Sequence, residues 1–262
     1  MNEIHPTAIV SKDAEIGNNV YIGPYTIIEG KSQISDECRI EAHTVIREGT
    51  ILGKKVKVDS HCVLGGHPQH LKFTPETISF AWIGENTVIR EHVTIHRALE
   101  ENHSTVVGKD CFLMGSAHVG HDAKVGFHTI IAQSALIGGH VEIGNHVFIG
   151  GGAAIHQFVR VGNGVMMGGR TLATYDVPPH LTVAERNQLA GLNMVGLRRR
   201  NADQESIGEL KKLYNVVLTK SISPATLCDH ARDLGLGKSE LGQEFLKFFE
   251  VKNRQYCKPK NR

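Results

Sequence analysis

Helical periodicity fails over the first two-thirds of the chain, and a period of six takes its place. From Ile4, steps of six land on Val10, Ile16, Ile22, Ile28, Ile34, Ile40, Ile46, Leu52, Val58 and Leu64. The phase slips in "GGHPQHLKFTPETISFAW" and resumes at Ile83, Ile89 and Ile95. Beyond "RALEENHST" it runs from Val107 through Leu113, Val119, Val125, Ile131, Ile137, Ile143, Ile149, Ile155, Val161 and Met167 to Ala173. Small or β-branched residues recur four positions after the aliphatic one (Ala8, Ala14, Val20, Thr26, Ser32, Cys38), and glycine often follows the aliphatic directly. Cys38 and Cys62 occupy that small slot and read as packing residues, not ligands.

A hexad repeat of this kind predicts a mainly-β fold, a parallel β-helix. Each hexad supplies one short strand and a turn, and three hexads close one triangular coil. The aliphatic residue points inward and stacks on its equivalent eighteen residues away, with coils about 4.8 Å apart. Pro178 and Pro179 in "YDVPPH" break the repeat, so the expected division is a β-helix over residues 1–184 and an α-helical domain over 185–262. In the second part Asp203 or Ser206 opens a helix through "IGELKKLYNVVLTK", with Ile207, Leu210, Leu213, Tyr214 and Val217 on one face. Ser223-Pro224 opens "ATLCDHARDL", and Ser239 opens "ELGQEFLKFFEVKNR".

Composition narrows the setting. The 262 residues carry a net charge of only +2, which gives no reason to expect nucleic acid as a partner. No apolar run approaches the roughly 18 residues of a membrane span, so stable membrane insertion is not expected. The start "MNEIHPTAIV" is too polar for a signal peptide. Five cysteines without paired spacing point to a reducing compartment, and the cytoplasm is the expected location.

The 16 histidines carry the candidate chemistry. Residues eighteen apart stack, so Gly120, Gly138 and His156 form one column, and His121, Gly139 and Gln157 the next. Asp122, His140 and Phe158 form a third, and His118 lies on the lowest of these coils. Four imidazoles therefore gather on one strip about 10 Å tall. Glycines between them leave backbone N–H groups and space, and Asp122 directly follows His121. The pairs His43 with His61 and His128 with His146 are also eighteen apart and read as structural or surface features.

The segments "GHPQHLKF", "AHVGHDAKVG", "LIGGHVEIG", "AAIHQFVRVG" and "NMVGLRRR" together resemble, in order and spacing, one family of hexapeptide-repeat acyltransferases. These are the UDP-N-acetylglucosamine O-acyltransferases, which use acyl carrier protein thioesters in the first step of lipid A synthesis. The resemblance spans the whole chain and implies a left-handed β-helix assembled as a homotrimer with active sites between subunits. It implies acyl carrier protein and a UDP-amino sugar as partners, and no cofactor. On this resemblance His121 is the general base, Asp122 its orienting partner, and the Gly139 N–H the oxyanion donor. Gln69, His70, Lys72, His118, His140, His156 and Gln157 match residues around the sugar and acyl groups. Asn193, Arg199 and Arg200 match nucleotide and carrier-arm contacts, and Gly169 with Arg170 marks where chain length is set, for a medium-length 3-hydroxyacyl group.

Two positions depart from the family pattern. His70 stands where the family loop carries an aspartate, which leaves the acceptor open between a 3-hydroxyl and a 3-amine. A neighbouring carboxylate would hold an amine protonated, so the imidazole tilts the reading slightly toward the amine. Val195 replaces a glutamate near the nucleotide. The alternatives are an N-acyltransferase of the same pathway or a coenzyme-A-dependent sugar acetyltransferase. From other classes, they are a non-catalytic scaffold and a zinc hydrolyase with the same β-helix. The histidine spacings of three, nineteen and sixteen do not match that hydrolyase's ligand pattern, and no metal is expected.

Overall fold

In a computed structural model the hexad positions become short parallel strands arranged in three sheets of 12, 9 and 8 strands, the three faces of a left-handed prism. The structure describes residues 1–219, 222–251 and 253–259. One coil shows the plan: Phe112–Leu113 lies on the first face, His118–Val119 on the second and Lys124–Val125 on the third. Four-residue turns join them. Pairing runs between residues eighteen apart, as in Ile4 with Ile22 and Ile130 with Phe148. The aliphatic residue of each hexad points inward, the second residue of each two-residue strand, and from Ile22 to Val183 these side chains form one continuous buried stack.

Two backbone requirements explain the rest of the hexad. A Cβ at Gly120, directly after Val119, would fall 2.8 Å from the Gly139 nitrogen of the next coil, so a side chain there forces the coils apart. In the regular coils the third residue after the inward aliphatic turns the corner with positive φ, for example 58° at His43 and 60° at Asp122. Among non-glycine residues Asn, Asp and His occupy that region most readily, which is the bland reason why histidines recur at corners. The small slot stitches the coils: the hydroxyls of Thr26, Ser32 and Thr44 and the thiols of Cys38 and Cys62 each donate to a carbonyl of a following coil. Burial pushes the Cys38 thiol up to about 11 and the Cys62 thiol up to about 12, so both are packing residues as expected.

The phase breaks are two excursions, residues 67–79 and 97–103, and both leave the prism at the corner between the second and third faces. That corner carries the histidine strip.

Among the described residues the tail holds four α-helices: α1 (Met194–Arg199), α2 (Gln204–Leu218), α3 (Pro224–Asp233) and α4 (Glu240–Lys247). Asp203 caps α2, accepting from the Ser206 N–H, and Ser239 caps α4. Ser223 precedes Pro224 at the first position of α3. Lys220, the last residue expected in the second helix, lies outside the described residues. The tail is less purely helical than the spacing predicts. Leu181–Glu185 and Gln188–Leu192 form an antiparallel hairpin that extends the first face, and the division expected after residue 184 falls inside its first strand. Lys258–Pro259 adds a final strand beside it. Asp176, 1% exposed, ties the two parts together by accepting from both Arg160 and Arg254.

Candidate active site

The strip is built on three consecutive coils. Asp122, His140 and Phe158 take the corner position with φ of 60°, 57° and 65°. The His140 and Phe158 rings stack at 4.6 Å. His121 precedes the corner residue, and its Nδ1 lies 2.8 Å from Asp122 Oδ2. The His121 and His140 rings meet edge to face at 5.1 Å. Gly139 sits above His121, and a Cβ there would lie 2.8 Å from both Cε1 and Nε2 of the imidazole. Glycine at 139 therefore makes room for the ring and leaves a backbone N–H beside Nε2. That N–H donates to no group among the described residues.

Asp122 is anchored by groups that the sequence did not reveal. Its Oδ2 also accepts the Leu99 N–H at 2.9 Å, from the second excursion, and its own N–H donates to Thr105 Oγ1 at 2.7 Å. Burial pushes its carboxyl up, but the His121 hydrogen bond, the Leu99 N–H and the nearby His140 outweigh it, and the group stays below its ordinary value. An anionic Asp122 accepts from Nδ1–H, which leaves the Nε2 lone pair facing outward beside Gly139.

A second pair of imidazoles lies below. His118 Nδ1 is 2.8 Å from Thr94 Oγ1, and its ring meets the edge of His96 at 4.6 Å. His96, 8% exposed, is lowered to about 4 by burial first and then by His118, His121 and His67. His118 is lowered for the same reasons, burial and His121. His96 was missed in the sequence, although it fills the slot directly after an inward aliphatic that glycine usually holds.

The first excursion reaches this corner. The His70 ring is 5.8 Å from that of His121, and its Nδ1 accepts the Lys72 N–H at 3.2 Å. Gln69 and Lys72 are exposed. Arg97, also missed, anchors the loop by donating to Pro75 O at 2.9 Å and lying over the Phe73 ring.

The remaining expected residues are not all brought here. His156 and Gln157 are exposed one coil higher, with His156 Nδ1 3.2 Å from the Gln157 carbonyl. Asn193 and Arg200 belong to another edge, the corner between the third and first faces. Asn193 caps α1 through the Gly196 N–H and donates to Gly164 O. Arg200 is 3.1 Å from His180 Nδ1, and His180 Nε2 in turn reaches Glu244 at 3.0 Å. Arg199 and Val195 are exposed nearby. Gly169 and Arg170 turn the third edge, between the first and second faces. A Cβ at Gly169 would approach the Gly151 carbonyl no closer than 3.4 Å, so the position has room.

Donor atoms of His121, Asp122 and His140 lie within 4.8 Å of one another, the one such group among the described residues. Two of those donors already hydrogen-bond to each other, an arrangement that suits a tautomer-fixed base.

A family model described as UDP-N-acetylglucosamine O-acyltransferase, domain 2, matches residues 176–257. An acyl-[acyl-carrier-protein]–UDP-N-acetylglucosamine O-acyltransferase from Sulfurihydrogenibium sp. is 60% identical over 224 residues, covering 84% of this chain and 82% of its own. A protein of the same name from Chlorobaculum parvum is 48% identical over 265 residues, with 100% of each chain covered. Among solved structures, the Francisella novicida UDP-N-acetylglucosamine acyltransferase matches with a TM-score of 0.93 at 27% identity, over 98% of this chain and 95% of that one. The UDP-N-acetylglucosamine O-acyltransferase of Moraxella catarrhalis matches with a TM-score of 0.91 at 32% identity, over 97% and 99%.

Proposed function

From the premise that the chain belongs to the acyl-[acyl-carrier-protein]–UDP-N-acetylglucosamine O-acyltransferase family, we propose that it transfers a 3-hydroxyacyl chain from acyl carrier protein to the 3-position of UDP-N-acetylglucosamine, opening lipid A synthesis. The observation that carries the reading is the His121–Asp122 pair with Gly139 against Nε2. His121 Nε2 takes the proton of the sugar hydroxyl as its oxygen attacks the thioester carbonyl. The Gly139 N–H donates to the oxyanion of the tetrahedral intermediate. Asp122 stabilises the imidazolium. Collapse breaks the carbon–sulfur bond, and the carrier's thiolate takes the proton back from His121.

The site is completed by neighbouring chains in a homotrimer. Outward positions on the second face are mostly apolar (Ile9, Ile27, Val45, Val63, Leu136 and Leu172), with Thr94 and His118 between them. On the first face Val88, Phe112, Ile130, Phe148 and Met166 are apolar, on the coils beyond Tyr21, Arg39 and Lys57. The third carries Ile51, Trp82 and Val106 and then the charged Lys124, Glu142 and Arg160, and Arg160 lies over the ring of the tail's Phe248. First face against a neighbour's second buries both apolar surfaces and closes a ring of three. It also brings the edge with Asn193, Arg199 and Arg200 to the neighbour's histidine edge, so Asn193 and the arginines bind nucleotide and carrier arm across the interface. Lys72 and Gln69 hold the sugar with His118, His140, His156 and Gln157, and Gly169 with Arg170 limits the acyl chain to medium length. The division stays at residues 1–184 and 185–262, and the cytoplasm is the proposed location.

A second acceptor is favoured by one observation: the ring nearest His121 in the loop is His70, where a carboxylate would disfavour a neutral amine. The test is acyl transfer from 3-hydroxyacyl carrier protein to UDP-N-acetylglucosamine and to its 3-amino analogue, with kcat/KM for each and for His70→Asp. Acylation of either sugar at the 3-position supports the reading, and the ratio names the acceptor. Activity with neither, or activity that requires stoichiometric zinc, contradicts it.

A further inference from the structure

The edge between the first and second faces carries a second set of histidines, which the proposed reaction does not use. His43, His61 and His92 take its left-handed corner position, with φ of 58°, 62° and 60°. Their rings form one column with Tyr25: successive centroids are 5.1, 5.0 and 5.1 Å apart, with interplanar angles of 15°, 3° and 7°. That spacing follows the roughly 4.8 Å between coils, so each coil adds one ring and all present the same edge outward. None of the three imidazoles hydrogen-bonds to any group among the described residues. By contrast His118, His121 and His180 are tied to Thr94, Asp122 and Glu244. Three aligned imidazoles without hydrogen bonds are exposed along this edge, with Glu91 close enough to His92 to interact with its charge.

Resting on the trimer proposed above, the edge where the two packed faces meet points at the three-fold axis. Each of His43, His61 and His92 then meets its two symmetry copies, giving three tiers of three imidazoles. We infer that these tiers form an axial transition-metal site, in which a Zn(II), Co(II) or Ni(II) ion is held by three ring nitrogens, one from each chain. Three neutral imidazoles with a water are an established ligand set for zinc, and imidazole also suits nickel. One chain supplies one donor per tier, so the site exists only in the assembly. Parallel stacking fixes the ring planes before any metal arrives. Ions on adjacent tiers would sit about 5 Å apart and repel strongly, so one or two ions fill three chains. A metal that binds only the trimer stabilises it by mass action.

The test uses the untagged full chain stripped with EDTA. Mass by light scattering is followed alongside Co(II) titration by visible absorption and metal analysis, in the native protein and in His43→Asn with His61→Asn and His92→Asn. Asparagine accepts the left-handed corner, and the His121 cluster is present in both proteins, so their difference isolates the axis. The expected result is a trimer in both, one or two ions per three chains bound at least tenfold more tightly by the native protein, and EDTA lowering Tm only in the native protein. Equal binding by the variant, or one ion per single chain, overturns the site. A monomeric native protein overturns the assembly reading itself, and the mass identifies that outcome separately. Should the triple variant not fold, the three single variants replace it. At least one of them then lowers affinity or capacity if the axis binds metal, and none does if it does not.

Discussion

His121 and Gly139 face each other across one coil boundary: a methyl group on Gly139 would lie 2.8 Å from the ring's Cε1 and Nε2, while Asp122 holds Nδ1 at 2.8 Å on the other side. The imidazole is clamped between a carboxylate and a bare backbone, and one glycine gives the base both its space and a neighbouring N–H donor.

That contact makes Gly139→Ala a sharp test. Gly139 is not among the positive-φ glycines, so alanine causes no backbone strain there. The methyl group pushes the ring off Nε2's working position, and a displacement near 1 Å costs on the order of 10²-fold in rate. Expected is a fall in kcat of that size with Tm nearly unchanged. A variant with normal kcat would remove Gly139 from the proposed site.

Asp122→Asn should keep the fold, since asparagine tolerates the 60° corner. The Leu99 N–H claims the amide oxygen, as it claims Oδ2 in the native chain. His121 Nδ1 shares that same oxygen, so the tautomer is kept and what is lost is the carboxylate charge that stabilises the imidazolium. A loss of roughly 10²-fold in kcat is expected, smaller than the roughly 10⁴ of the serine-protease change that also flips the tautomer. Nitrogen NMR of His121 should show a native-like tautomer, and a native-like kcat contradicts the role.

His96 gives the fold a pH dependence. Its folded value is lowered to about 4, with burial as the first cause, against 6.5 unfolded. Between those values the unfolded chain binds more protons, so stability rises with pH across the window. It is fully present above pH 6.5 and is lost as pH falls toward 4, by on the order of 3 kcal/mol. Urea unfolding at pH 5 and 7 should show a larger loss in the native protein than in His96→Gln. Equal losses would move the effect elsewhere.

The tail arginines should separate. Arg199 is exposed, and Arg199→Ala should raise KM for the UDP-sugar or the carrier and leave Tm alone. Arg200 is engaged with His180 and the Gly196 carbonyl, so Arg200→Ala should lower Tm as well. Lys72→Ala should raise KM and make it less sensitive to salt. A phosphate-free acceptor affected equally by these changes would show that they do not read the nucleotide.

The prism was legible because one inward aliphatic per six residues is dictated by coil geometry, and every residue obeying it carries the signal. His121, Asp122, Gly139 and His140 were legible from the same arithmetic, since eighteen-residue columns are spatial neighbours. His96, Arg97 and Leu99 were not, because the excursions break the phase and the sequence does not say how far a loop folds back. The hairpin at 181–192 was hidden by Pro178 and Pro179, which end the repeat without ending the first face. Placing Asn193 and Arg200 on a different edge from His121 needed the structure, since no period links the tail to the coils.

The central claim is that His121 removes the acceptor's proton. The direct measurement is single-turnover acyl transfer by His121→Ala at saturating carrier and UDP-sugar, with Tm measured on the same sample. The account predicts a rate lower by about 10²–10⁴ with little change in KM or Tm. A near-native rate, or a lost rate explained by a collapsed Tm, would contradict it.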